Sequence, residues 1–242
     1  MPQQSGPKAG GDAQRKRGRQ TKTSSSALPG KKRASGLSRD HIVDASISYL
    51  RQHPTERLTI GRAAAASGAK PMSLYRHFRS GADLAEAIVT KVLEGIEDEI
   101  PQDADWRTQV QAWMEAIYRR FLDMPQSVEL LTNDNSLSLA WIRVAAGLRK
   151  SLVLAGLSGA KLSDAVFWIL LSVVRFAQHA VATPMETQIG TTMAAIDRLD
   201  ATEKADIASL ADDVTRLYTH AVDIMFERTL DSVEVLIAKR GK

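Results

Sequence analysis

The sequence predicts an all-α protein, and three observations carry that prediction. After Ser38, apolar residues recur at the three-to-four-residue spacing of a helix face along nearly the whole chain. Capping residues and Gly or Pro stops punctuate the pattern at intervals that suit ordinary helices. Strand signals are missing: there is no alternating β-branched run and no Asn-Gly or Asp-Gly hairpin turn.

The elements follow in order. Ile42, Ala45, Tyr49 and Leu50 keep an i, i+3, i+7, i+8 spacing behind Ser38, a candidate N-cap, and Pro54 closes this first helix. Thr59 can cap a short Ala-rich helix that ends at Ser67-Gly68. Pro71 stands where a first helical turn tolerates it, and Leu74, Tyr75 and Phe78 continue that helix. Ser80 and Asp83 have capping-box spacing ahead of a long helix that buries Leu84, Ile88, Val92 and Ile96 and stops before Pro101. Trp106 to Met124 carries Val110, Trp113, Met114, Ile117 and Phe121 on one side. A polar break at Thr132–Ser136 precedes a helix from Leu137 to Leu154, ending near Gly156. Leu162 to Val181 is apolar almost all round and ends at Thr183-Pro184, so it is either central or shared with a partner chain. Asp200 and Glu203 offer a second capping box, opening a last helical stretch to about Lys239 with a break near His220.

Composition narrows the function. The 242 residues include no cysteine, which excludes disulfides, thiol chemistry and Cys-ligated zinc. Hydrophobic residues make up 44% of the chain, enough for a packed core in one or two domains. The N-terminus lacks the apolar h-region of a signal peptide. The longest apolar run, Ala165 to Leu171, falls short of the ~20 residues that cross a bilayer. A soluble, cytoplasmic protein with no membrane partner is therefore expected. No His-x-x-x-His pair, Gly-x-Ser-x-Gly elbow or glycine-rich phosphate loop occurs, so neither an enzyme nor a cofactor is expected.

Charge is distributed unevenly. Residues 1–39 hold ten Lys and Arg against Asp12, a balance of +9, while the whole chain carries only +4. Residues 40–79 add +3, and residues 80–242 therefore carry −8. Basic at one end and acidic over the body suggests a polyanion partner at the N-terminus. Residues 1–37, rich in Gly, Ser, Pro, Gln, Ala, Lys and Arg, have almost nothing to bury and read as a disordered arm. That arm either touches nucleic acid through Arg15–Arg19 and Lys31–Arg33 or serves as a solubilising tail.

The stretch from Leu58 to Phe78 carries the chemistry. Two short helices joined by a tight turn at Gly68 have the composition of a helix-turn-helix. Ala64 and Ala65 allow close approach, and Gly68 supplies the positive φ that ends the first helix. The second helix pairs buried Leu74 and Phe78 with an outward face of Lys70, Ser73, Tyr75, Arg76 and His77. Those side chains can donate to phosphates or reach base edges in a major groove. An ordinary helical hairpin with a solvated polar face is the plain alternative.

Ser38 to Ile96 resembles the DNA-binding domain of the tetracycline-repressor (TetR/AcrR-like) regulators. The resemblance rests on Leu58-Thr59, Ala64, Ser67-Gly68-Ala69, the sequence Leu74-Tyr75-Arg76-His77-Phe78 and Leu84. More weakly, Asp105-Trp106-Arg107, Gly156-Leu157 and Phe226-Glu227-Arg228…Leu230-Asp231…Glu234 resemble the family's ligand domain. The resemblance implies a basic arm over residues 1–37, a three-helix helix-turn-helix DNA-binding domain over 38–97 and a larger helical ligand-binding and dimerisation domain over 102–242. It also implies a transcriptional regulator, most often a repressor. Such a regulator binds a palindromic double-stranded DNA operator as a homodimer, and a small, mostly apolar effector releases it. A sequence-neutral structural DNA-binding protein is the competing function.

By the same resemblance Thr59 would hold a backbone phosphate, Ser73 and Tyr75 would touch bases or phosphates, and His77 would contact phosphate. Lys70 and Arg76 are neighbours in that interface. The chain departs from the family pattern at Lys70, where Ser or Thr is common, at Gly61, where Arg is common, and at Gly81, where Lys is usual. Arg62, Arg79 and the arm are the nearest replacements for the lost anchors. Trp113, Met114, Phe121, Met124, Trp141, Phe167, Trp168 and Arg175 lie in helices that line the family's pocket, with ordinary core packing as the alternative for each. Arg175, Gln178 and His179 either orient a ligand or cross a dimer interface. No histidine occurs between His77 and His179, so the family's magnesium-chelating His is missing and no metal is expected.

Overall fold

A computed structural model describes residues 37–132 and 139–238. The basic arm up to Gly36, most of the polar break with Leu137, and Lys239 lie outside the described residues. Among the described residues the chain is helical with no strand: α1 (Arg39–Gln52), α2 (Ile60–Ala66), α3 (Pro71–Leu74), α4 (Gly81–Val92), α5 (Trp106–Asp123), α6 (Gln126–Thr132), α7 (Leu139–Leu154), α8 (Gly159–Ala182), α9 (Met185–Asp197), α10 (Ala201–Asp206), α11 (Ala208–Thr219) and α12 (Ala221–Ala238). A short 3-10 turn, Ile96–Glu99, lies between α4 and α5.

Two hydrophobic cores organise these helices. The smaller gathers Ile42, Ile47 and Leu50 of α1, Ala63 and Ala64 of α2, Leu74 and Phe78 at the turn, and Leu84 and Ile88 of α4. The larger packs α5, α7, α8 and α12 around Trp113, Met114, Ile117, Leu148, Ile169 and Val173. Met124, the residue that follows α5, belongs to the smaller core although that helix builds the larger one.

The two cores are also joined by polar contacts. The Gln126 side-chain amide is buried and donates to the carbonyls of Leu50 (3.1 Å) and Pro54 (2.7 Å), with His53 at 3.4 Å. It thus satisfies acceptors at the C-terminal end of α1, where intrahelical donors run out. Arg57 donates two N–H groups, at 2.8 and 2.6 Å, to one oxygen of Glu129, and Glu86 of α4 accepts the Ala140 N–H at the start of α7 (2.8 Å).

Local expectations are met at the caps. Ser38 accepts from His41, Thr59 from Arg62 and Ser80 from Asp83, while Asp200 and Glu203 form a reciprocal capping box. Asp83 does not complete the box at Ser80, because its carboxylate is taken up by Arg39 and the Arg79 N–H. Helix α4 stops at Val92, well ahead of Pro101, because Gly95 adopts φ +76° and starts the 3-10 turn. Val92 is only partly buried, and Leu93, Ile96 and Ile100 cover that part of the core beyond the helix end. The stretch after Asp200 breaks twice, at Ile207 and at His220, and α9 is a further helix ahead of it.

By length and composition, α8 is apolar enough to cross a membrane, which the run ending at Leu171 did not reveal. Its Leu162, Ala165, Ile169, Val173 and Ala177 face the larger core, and it packs against α5, α7 and α12. Its opposite side carries Phe167 (67% exposed), Trp168 (54%) and Leu171, all uncovered in the single chain.

Candidate nucleic-acid interface and ligand cavity

The helix-turn-helix is built by its turn. Gly68 takes φ +66°, its N–H donates to Ala65 O (3.1 Å), and the Ala69 N–H donates to Ala64 O (2.8 Å). That pair of bonds is the Schellman arrangement, which ends α2 and redirects the chain into α3. Ala63 and Ala64 are fully buried, so the two helices meet at the closeness that small side chains permit, whereas Ala65, expected in that contact, is exposed.

Helix α3 is shorter than its apolar spacing suggests. Four residues are α-helical, and the chain continues through turns in which Leu74 O accepts from both His77 (2.8 Å) and Phe78 (2.9 Å). Lys70 makes no side-chain cap bond, so nothing at the N-terminus extends the helix as a Ser or Thr would. Leu74 and Phe78 anchor the segment in the smaller core. Lys70, Met72 (77% exposed), Tyr75 (53%), Arg76 and Arg79 are exposed, and Ser73 and His77 are half-buried.

Arg39 fixes the far end of this segment. Its guanidinium donates to the His77 carbonyl (2.7 Å) and the Asp83 carboxylate (2.7 Å) and stacks over the Phe78 ring at 4.3 Å. Asp83 also accepts the Arg79 N–H at 2.9 Å. The Arg39 contact first, then the Arg79 amide, holds the Asp83 carboxyl below the usual carboxylate range. The pair is therefore in place above the ordinary Asp pKa and is lost only as pH falls through the lowered value; near neutral pH it does not titrate. Arg39→Gln, which keeps neither the stacking nor the bidentate reach, is expected to lower affinity for a specific duplex by about three- to tenfold while the chain stays folded. Titration of a labelled duplex at pH 7 measures it, and unchanged affinity would mean the clamp does not position the segment.

The other predicted anchors are placed unequally. Thr59 is exposed, and its hydroxyl accepts the Arg62 N–H at 3.2 Å while its own proton can still be donated. Arg62 is engaged internally: it donates to Arg57 O at 2.6 Å and pairs with Glu56 at 3.2 Å. Glu56 lies below its usual pKa chiefly because it accepts the Tyr49 hydroxyl bond, with Arg62 and His53 adding to the effect. The sequence reading passed over Met72 and Arg39. Two residues before buried Leu74, Met72 lies about 200° round the helix and so on its outer side.

The predicted ligand residues do not converge on one site. Trp113, Met114 and Phe121 are fully buried in the larger core, and Trp141 is half-buried against it. Phe167 and Trp168 lie on the outer side of α8. Arg175 is exposed and donates to Gln178 at 3.2 Å. Of these residues only His179 borders the large cavity, which has a volume of about 520 Å³ and lies between α9 and α11 on one side and Tyr118, Phe176 and Val222 on the other.

Comparison with solved structures finds this architecture again. Apo ActR from Streptomyces coelicolor superposes with a TM-score of 0.74 at 18% identity, over 85% of this chain and 98% of that one. The Streptomyces coelicolor TetR family protein ActR in complex with actinorhodin gives 0.68 at 18% identity, over 86% and 100%. BioQ with its natural double-stranded DNA operator gives 0.55 at 20% identity, over 74% and 99%. No protein-family model matches the sequence, and no curated protein matches it. The chain has the all-α fold of TetR-family transcriptional regulators, with its helix-turn-helix at the N-terminal end.

Proposed function

We propose that the chain is a regulator of the tetracycline-repressor kind that reads a palindromic DNA operator as a homodimer, acts as a repressor and is released by a small molecule. The observation that carries the reading is the segment after Gly68. It offers Met72, Ser73, Tyr75 and Arg76 to solvent while Leu74, Phe78 and the Arg39 clamp keep its backbone still. Tyr75 and Arg76 supply donors for bases and phosphates, and Met72 supplies an apolar contact for a thymine methyl group. Thr59, Lys70, Ser73, His77 and Arg79 surround that edge as phosphate partners, while Arg62 steadies Glu56 and serves the interface indirectly.

The uncovered side of α8 supports dimerisation. Phe167, Trp168 and Leu171 are the kind of exposed apolar side chains that a second copy covers. A two-fold pair would set the reading segments about 34 Å apart, one turn of B-DNA. The bound states of ActR and BioQ, with actinorhodin and with DNA, support the same two kinds of partner here.

Selection of duplexes from a random pool tests the reading. A two-fold symmetric site is expected, bound about 10³-fold or more above random DNA at physiological salt. A sequence-neutral coating protein would instead return no motif and a steep salt dependence. In the same assay, removing residues 1–37 is expected to weaken binding to random DNA and flatten the salt slope. An unchanged slope would mean that the arm does not reach DNA.

A further inference from the structure

The helices between α8 and α12 bury very little. No residue of α9 is buried, and in α11 only Val214 is. Yet both helices present a mixed but largely apolar side at helical spacing: Met185, Gln188, Thr192 and Ile196 on α9, and Leu210, Val214 and Leu217 on α11, with Ile207 at its start. Both sides border the same cavity, whose floor is Tyr118 of α5 and Phe176 of α8. The α9–α11 hairpin packs mainly on itself, so its inner side lacks the filling that a closed core would give it.

The lining defines what would fill the space. It contains no Asp, Glu, Lys or Arg, so a charged ligand would lose its hydration without gaining a partner. Seven of the lining residues carry a polar side-chain group, and those of α9 and α11 are linked. The Thr192 and Tyr218 hydroxyls are 2.9 Å apart, joining α9 to α11. Gln188 uses its amide N–H to reach Thr183 O at 2.7 Å, which leaves its carbonyl oxygen as an acceptor, and His179 stands on the α8 side. A volume of about 520 Å³ falls within the range of small-molecule sites.

We propose that this cavity binds an uncharged, mostly apolar molecule bearing a hydroxyl or carbonyl on one edge, and that the α9–α11 hairpin closes over it. The ligand completes the core that the hairpin lacks, and the Thr192–Tyr218 pair and Gln188 orient its polar edge. As a ligand site this stands on the cavity alone; as an effector site it rests on the regulator reading above.

The test uses Nile red, an uncharged planar dye with a ring carbonyl, on the full chain. Ala180→Trp fills the cavity from α8 and Ile196→Lys puts a charge into it from α9; each is expected to raise the dye's dissociation constant about tenfold or more, with circular dichroism unchanged. Neutral 4-octylphenol should displace the dye at about one-tenth the concentration that octanoate requires, or less. Amide exchange over residues 185–219 should slow when 4-octylphenol binds. The proposal is overturned if neither variant weakens the dye, if octanoate competes equally, or if exchange stays the same. Release of the selected duplex by 4-octylphenol from the parent chain, but not from Ala180→Trp, supports the effector role. A duplex still held by the loaded protein overturns that role and leaves the site standing.

Discussion

Tyr75→Ala is expected to weaken binding to the selected duplex by about ten- to a hundredfold, a loss of about 1–3 kcal/mol, with the unfolding temperature unchanged. The separation of the two effects follows from where the side chain lies. Tyr75 is more than half exposed, while its neighbours Leu74 and Phe78 hold the backbone from inside the smaller core. Removing the ring therefore costs the fold almost nothing and removes a donor and a planar surface from the reading edge. Tyr75→Phe separates the hydroxyl from the ring. His77 is different: its carbonyl receives Arg39, so His77→Ala leaves that bond intact and tests the imidazole alone. Tyr75→Ala binding the duplex as tightly as the parent chain would remove this segment from the interface.

Gly147→Leu is expected to destabilise the chain by about 3 kcal/mol or more, which for a protein of this size lowers the midpoint of thermal unfolding by about 6–12 °C. A side chain at Gly147 meets Trp113 at once: a Cβ there would lie 2.3 Å from the indole Cζ2 and 2.8 Å from Cη2. Trp113 is almost fully buried and has no solvent to turn into. Two effects oppose each other in the milder change, Gly147→Ala. Alanine favours the helix by about 0.5–1 kcal/mol over glycine, whereas overpacking costs about 1–3 kcal/mol. The clash prevails, so even this substitution should lower the midpoint in a calorimeter. A rise would show that α7 can move away from α5 at no cost.

What the sequence revealed about the fold was mostly local. A cap needs only a hydroxyl or carboxylate a few residues ahead of an apolar stripe, and Ser38, Thr59, Ser80 and Asp200 all act as read. The stop at Gly68 was legible for the same reason, because one residue's backbone freedom decides it. Less was legible where a distant partner intervenes. Asp83 had the spacing to cap its own helix, but a guanidinium from α1 claims it. The length of α3 was overestimated because Tyr75 and Phe78 keep an apolar rhythm through turns that are no longer helical.

The cavity was the least legible part. Periodicity tells which side of a helix is apolar, not which neighbour covers it. Large aromatics were the natural candidates for a pocket, yet Trp113 and Phe121 fill the core and Phe167 and Trp168 face outward. The cavity instead depends on α9 and α11, a pair whose individual stripes are unremarkable until folded against each other. Tyr118 and Phe176, its floor, stand among residues that sequence alone reads as ordinary packing.

Met124 is a small detail with a large mechanical result. Tyr118 borders the cavity, Phe121 one turn further is packed in the larger core, and Met124 one turn beyond that plugs the smaller one. A single rod of backbone thus begins at the cavity proposed above as a ligand site and ends as filling inside the module that holds the helix-turn-helix. Any swing of that module must drag the rod along or open a methionine-sized hole. Motion would accordingly travel as a rigid tilt shared by both lobes, not as slackening within either.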